Sequence, residues 1–265
     1  MRIFSRLDRV LLLFSAVLAF PSQMRAQSPL PPQLPLPPLE QPYAFHRSWS
    51  LFSEYSPDSS HIFLGIAEQR KFFNIGGAFT QRLFLKRYVG MSYMAEVKPI
   101  MLESDPTLKE LITTLSDPYG TVQFDDKLLP ALPVISVGPS LITSSRTLNG
   151  ATYTATYELF YSRRWTYAFG LSPIGLRTTL RPHSRIQPDL TLLGGFVVSP
   201  RDIPVFDSSA FNFTFSFGAG VELFQRSKHA TRLEYRIQHM SNKNIGENNP
   251  GVDSQMIQAS YVWGK

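Results

Sequence analysis

Residues 211–223 read Phe-Asn-Phe-Thr-Phe-Ser-Phe-Gly-Ala-Gly-Val-Glu-Leu: every odd position is apolar, and every even one is Asn, Thr, Ser, Gly or Glu. Side chains of an extended strand repeat every two residues, so one face of this segment is wholly apolar and the other polar. The same period recurs over Phe73–Leu85, Val89–Lys98 and Arg232–Ser241. Its polar side carries small residues and isolated charges, among them Arg82, Glu96, Lys98, Glu222, Glu234 and Arg236. In an outer-membrane barrel the apolar side faces lipid while charges of opposite sign pair in a narrow lumen. A soluble sandwich or closed soluble barrel also alternates, but with Lys, Glu and Thr on its solvent side. The expectation is an all-β fold, an eight-stranded antiparallel transmembrane β-barrel with one long extracellular loop insertion. Its strands are expected at 49–66, 72–85, 88–102, 165–180, 186–199, 210–225, 230–241 and 253–263. Pro173 implies a bulge in the fourth.

The chain begins with a basic segment, Met1–Arg9, and a short apolar run, Val10–Phe20. That pairing reads as a signal peptide over 1–26, too short to span a bilayer. Elsewhere no segment approaches the roughly 20 apolar residues of a transmembrane helix, so a membrane crossing requires a closed barrel. Residues 27–47 are rich in proline and read as an extended periplasmic linker; residues 48–265 form the barrel. Short periplasmic turns are expected at Lys86-Arg87, Arg181–Ser184 and Gln225–Lys228, which places the final turn, Ser241–Asp253, outside the cell. The long outer loop is 103–164. It is expected to hold a helix at Pro106–Leu115, capped by Asp105, then extended runs at 132–143 and 151–162. Pro130, Pro133 and Pro139 argue against a regular central strand there.

The net charge of +6 falls to +3 without the four arginines and Asp8 of the leader, too mild and scattered for nucleic acid. The chain has no cysteine, which excludes thiolate chemistry, disulfide scaffolding and Cys-based metal sites. His46, His61, His183 and His229 show no ligand spacing, and Asp125-Asp126 reads as a solvated pair; no metal and no cofactor are expected.

Chemistry concentrates at the last turn. His239 and Ser241 have the same parity, as does Asp253 on the next strand, so all three share a face that is otherwise apolar. Serine needs a base to become a nucleophile, and an imidazole base needs a third group to fix its tautomer. Asn242 could donate to an oxyanion, as could backbone amides near Gly246 or Gly251. Residue pattern alone leaves two readings open, a triad and a solvated rim.

The run His239-Met240-Ser241-Asn242, followed by Asn249-Pro250-Gly251-Val252-Asp253, resembles the outer-membrane lipid A 3-O-deacylase family (PagL), whose members are also described as acyloxyacyl hydrolases. The resemblance implies Ser241 as nucleophile, His239 as general base and Asp253 as the acid. It further implies Asn242, Asn249 and Gly251 as oxyanion or substrate-positioning residues. Aspartate stands where the best-known members have glutamate, and Lys243 and Asn244 stand where small residues are usual. The implied activity is a serine carboxylic ester hydrolase that removes an ester-linked acyl chain, at the 3-O position, from lipid A of lipopolysaccharide in the bacterial cell outer membrane. Its partners would be lipopolysaccharide and outer-membrane lipid; the oligomeric state is left open, a dimer included. The rival readings are a non-catalytic structural or adhesin-like barrel and an outer-membrane phospholipase or acyltransferase.

Overall fold

The structure, a computed structural model, describes residues 43–265. The expected signal peptide and most of the proline-rich linker lie outside the described residues. Ten strands make up the chain: β1 (Arg47–Ser56), β2 (Lys71–Leu85), β3 (Val89–Asp117), β4 (Gly120–Pro133), β5 (Leu141–Leu148), β6 (Ala151–Leu180), β7 (Ile186–Ile203), β8 (Ser209–Arg226), β9 (His229–Ser241) and β10 (Val252–Gly264). All pair antiparallel with their neighbours. Eight of them close a ring in the order β1, β2, β3, β6, β7, β8, β9, β10, with β10 returning to β1. Such closure leaves no unpaired edge in the ring.

The ring is staggered. From Tyr235, the register through β8 and β7 reaches β6 at Thr178. Through β10, β1, β2 and β3 it reaches the same strand at Tyr167, eleven residues earlier. A stagger of this kind is the register shear of strands tilted around a closed barrel.

The faces follow the alternation in the sequence. Leu51, Leu233, Tyr235 and Ile257 are exposed outside, while Glu54, Glu96, Glu234 and Arg236 are buried inside. Arg236 grips Glu96 through two hydrogen bonds of 2.7 and 2.8 Å and reaches Glu234 at 3.0 Å. Arg232 joins Glu234 at 2.7 Å and Asp189 at 2.5 Å, and Arg177 joins Asp189 at 2.8 Å. Lys98 pairs with Glu54, and Arg177 with Glu222. Buried charges persist only when paired and hydrogen-bonded; here a continuous chain of alternating charge fills the lumen. Arg82, expected inside with them, is half-buried.

Three sequence-based expectations are corrected. The first strand ends at Ser56, because Pro57 lacks a ladder donor, and residues 57–70 form a connection that folds back across β10. The helix expected at Pro106–Leu115 is strand: the described residues contain no helix. Ile112-Thr113-Thr114 is a β-branched run, and β4 and β6 flank it on both sides. The loop expected over 103–164 is thus a sheet, in which β3 and β6 continue beyond the ring, joined by β4 and β5. Pro130 and Pro133 are accommodated because β4 is an edge strand. Pro173 lies at the expected bulge, between Leu171 and Ile174.

At the end of the ring where this sheet projects, the connections are tied together by Arg70, whose side chain is buried. Its guanidinium donates to the carbonyls of Val134 and Ile135 in the β4–β5 connection and of Pro204 in the β7–β8 connection. It also lies 3.6 Å from Asp105, which Arg164 contacts at 2.8 Å.

Candidate active site

β9 and β10 place His239 opposite Asp253 as direct register partners. His239 Nδ1 lies 2.6 Å from Asp253 Oδ1. A carboxylate can only accept, so in the neutral ring Nδ1 carries the hydrogen and Nε2 keeps its lone pair. The imidazole is 19% exposed, whereas the aspartate side chain is fully buried.

What buries Asp253 is the β1–β2 connection. The backbone amides of Ile62, Phe63, Leu64 and Gly65 all donate to Oδ2, at 3.1, 2.6, 3.1 and 3.0 Å. Four amides converging on one carboxylate oxygen form an anion nest. The connection is pinned along β10: Ser60 N donates to Asp253 O (3.1 Å), Ile66 N to Pro250 O (2.8 Å) and Ala67 N to Gly251 O (3.0 Å). Ser59 bridges to Ser254, accepts from Arg70 N and donates to Ala67 O. Gly65 is needed at the closest approach, since a Cβ there would stand 2.5 Å from Asp253 N.

Ser241 follows His239 by two residues and pairs with Phe213, as His239 pairs with Phe215. Among the described residues no hydrogen bond engages its hydroxyl. Phe213 and Phe215 are exposed, as are Phe63, Leu64 and Ile66 on the covering connection and Ile245 in the final turn. The polar groups therefore sit in apolar surroundings.

The remaining candidates build the turn. Asn242 is buried; its Nδ2 donates to Asn248 O (2.8 Å) and Ser208 Oγ (3.2 Å), and its Oδ1 accepts from Asn244 N (2.8 Å). Asn249 Oδ1 accepts from Asn242 N (3.1 Å), and its Nδ2 donates to Asn244 Oδ1 (3.1 Å). Gly251 has φ +59°, and a Cβ there would lie 3.1 Å from His239 Cε1, so its lack of a side chain serves both the backbone and the imidazole. Lys243 (φ 53°) and Asn244 (φ 62°) are also left-handed, a region in which asparagine is enriched and lysine uncommon. Gly246 packs tightly against Ser208 of the β7–β8 connection.

The sequence reading missed the amides of Ile62–Gly65, because backbone donors leave no side-chain signature. Their only trace is Pro57, which lacks a ladder donor inside the strand expected over 49–66.

The chain aligns over 86% of its length with an outer-membrane channel from Pseudomonas putida F1, covering 99% of that chain at 11% identity and a TM-score of 0.28. It aligns over 82% of its length with a loop-deletion variant of OmpT, an outer membrane protein of Vibrio cholerae, covering 98% of that chain at 9% identity and a TM-score of 0.23. No curated protein sequence matches it. Residues 206–262, the stretch that carries His239, Ser241 and Asp253, match the family model of the lipid A 3-O-deacylase (PagL).

Proposed function

We propose that this protein is an outer-membrane lipid A deacylase, a serine esterase that removes the 3-O acyl chain of lipid A within the outer leaflet. The observation that carries the reading is the His239–Asp253 pair, 2.6 Å apart, standing on an apolar outward face inside the stretch matched by that family. The exposed apolar exterior and charged lumen support the bilayer as its solvent. A site on that exterior meets substrates already dissolved in the membrane.

In the proposed mechanism Ser241 Oγ attacks the ester carbonyl of the acyl chain, and His239 Nε2 takes the hydroxyl proton. Asp253 holds the Nδ1–H and stabilises the imidazolium that forms. The tetrahedral adduct collapses to an acyl-serine, and His239 returns the proton to the departing sugar hydroxyl. Water, deprotonated by the same imidazole, then attacks the acyl-serine; free fatty acid leaves and Ser241 is restored. Asn242, Asn249 and Gly251 act by shaping the turn that presents Ser241. Phe213, Phe215 and the apolar residues of the β1–β2 connection receive the acyl chain.

The test is mass spectrometry of lipid A from cells expressing the wild type or Ser241→Ala. Loss of one 3-O acyl chain with the wild type alone is the expected result. Unchanged lipid A in both would overturn the reading, and release from phospholipid instead would reassign the substrate.

A further inference from the structure

The connection that seats Asp253 has a locked neck and a loose tip. At the neck, Gln69 N donates to Ser59 O (3.0 Å) and Arg70 N to Ser59 Oγ (2.9 Å), which closes residues 59–70 into a surface loop whose ends meet. Arg70 is buried and bonded to the carbonyls of Val134, Ile135 and Pro204. Glu68 N donates to Ile135 O as well (2.8 Å). The tip has no such packing: Phe63 is 55% exposed and Leu64 75%. Yet the tip is the part that holds the acid.

Aiming four consecutive amides at one oxygen has a consequence for the segment that supplies them. The N–H groups of Ile62, Phe63, Leu64 and Gly65 all go to Asp253 Oδ2, so none remains to close the segment on itself through a backbone hydrogen bond. Their positive ends converge, an arrangement that suits an anion and is self-repelling without one. Ordering these residues costs conformational entropy, and the exposed tip has little packing to offset it. One side chain spans the gap. His61 Nδ1 lies 2.9 Å from Gly65 O. A carbonyl only accepts, so Nδ1 carries the hydrogen, and the imidazole closes from residue 61 to residue 65 the turn that the backbone donors cannot. Among the described residues no side chain other than Asp253 and His61 hydrogen-bonds to this segment.

We propose that His61 is a positioning residue of the esterase site: its imidazole sets the convergence of the four amides and, through them, the aim of the Asp253 carboxylate at His239. Gly65 is the link, since its N–H is the last of the nest and its C=O is what His61 holds. If Gly65 moves, the carboxylate is free to turn about its Cβ–Cγ bond and to carry Oδ1 away from His239 Nδ1, now 2.6 Å distant. His61 takes no proton from substrate in this role. It acts as a donor only, so a side chain that places an N–H where Nδ1 stands replaces it. Asparagine does so, because its Nδ2 is as many bonds from Cα as the imidazole Nδ1. The proposal rests on the deacylase reading for its rate measurement, whereas the geometry of the His239–Asp253 pair can be followed without turnover.

The test compares His61→Ala, His61→Phe and His61→Asn with the wild type, as full-length protein in detergent micelles. Two quantities are measured: the rate of lipid A deacylation, and the Nδ1–H proton resonance of His239 in substrate-free protein with isotopically labelled histidine, assigned by its loss in His239→Ala. His61→Ala and His61→Phe should each slow deacylation about tenfold or more, the scale on which small misplacements of catalytic groups act. Both should shift or broaden the His239 resonance while heat-modifiable migration of the barrel stays as in wild type. His61→Asn should keep both rate and resonance near wild type. The proposal is overturned by a His239 resonance indifferent to His61→Ala, or by His61→Phe as active as His61→Asn. An inactive His61→Asn with the resonance intact would overturn it too, by giving the ring a chemical role of its own. Loss of heat-modifiable migration in His61→Ala would overturn it by making His61 a support of the barrel. A wild type that leaves lipid A acylated would remove the deacylase reading, and the His239 resonance would still decide the positioning role.

Discussion

Asp253 accepts from His239 through one carboxylate oxygen and from the backbone amides of Ile62–Gly65 through the other. Asp253 thus makes two sets of contacts from one position: it holds the imidazole Nδ1 and it anchors the β1–β2 connection over β10.

That double role sets the order of substitutions at Asp253. Asp253→Asn keeps the size but removes the charge shared by the imidazole and four amides. Deacylation should fall by about 10³-fold or more, within the range seen for triad acids. Asp253→Glu restores charge but adds a methylene where Gly65 already lies against the backbone. It should lose activity by about tenfold or more, since displacement of about 1 Å can cost 10²-fold. Turnover of lipid A in detergent micelles checks both; full activity in Asp253→Glu would mean the connection yields easily.

Gly65→Ala tests the seat without touching the pair. Its Cβ would stand 2.5 Å from Asp253 N and 2.7 Å from Val252 C, and backbone on both sides must shift. Deacylation should drop about 100-fold, while heat-modifiable migration of the barrel stays as in wild type. A drop in barrel stability of equal weight would show that the connection supports the ring rather than the acid.

On the outside, Leu233 is 60% exposed at the middle of β9. Leu233→Arg should destabilise folding into bilayers by about 2–4 kcal/mol, the cost of arginine on a lipid-facing midplane position. Urea titration of refolding into vesicles measures it. A neutral outcome would mean this face meets water.

In the lumen, Glu96→Gln leaves Arg236 without its bidentate partner. Breaking a buried ion pair from one side costs about 3 kcal/mol; Arg236 keeps Glu234 at 3.0 Å, and Arg236→Met in the same chain should recover part of that loss by restoring the balance of buried charge. The double variant's refolding free energy, compared with either single one, is the measurement. Additive losses would mean that Arg236 and Glu96 do not act as a pair.

The ring was legible because its rule is local: parity in Phe211–Leu223 and Arg232–Ser241 fixes which side faces out, and period two survives without knowledge of the partners. The pairing of His239 with Asp253 was legible for the same reason, as two positions of one parity flanking one turn. The sheet over 103–164 was not. A proline at 106 and apolar residues at 108, 111, 112 and 115 fit a helical face as well as a strand, and only pairing with β4 and β6 decides between them. Nor was the seat of Asp253 legible, since it is made of amides that every residue but proline possesses. Lys243 and Asn244 marked an unusual turn, and their left-handed backbones supply its physical form.

The nest that holds Asp253 also dates the site within the life of the chain. Its amides come from residues 62–65, just after the first strand, and its carboxylate from residue 253, at the start of the last. These meet only when β1 and β10 have joined. A chain in which the first and last strands have not met has no such seat for Asp253, however well β9 and β10 pair with each other. Whatever chemistry His239 and Asp253 perform is therefore latent until the two ends of the chain come together.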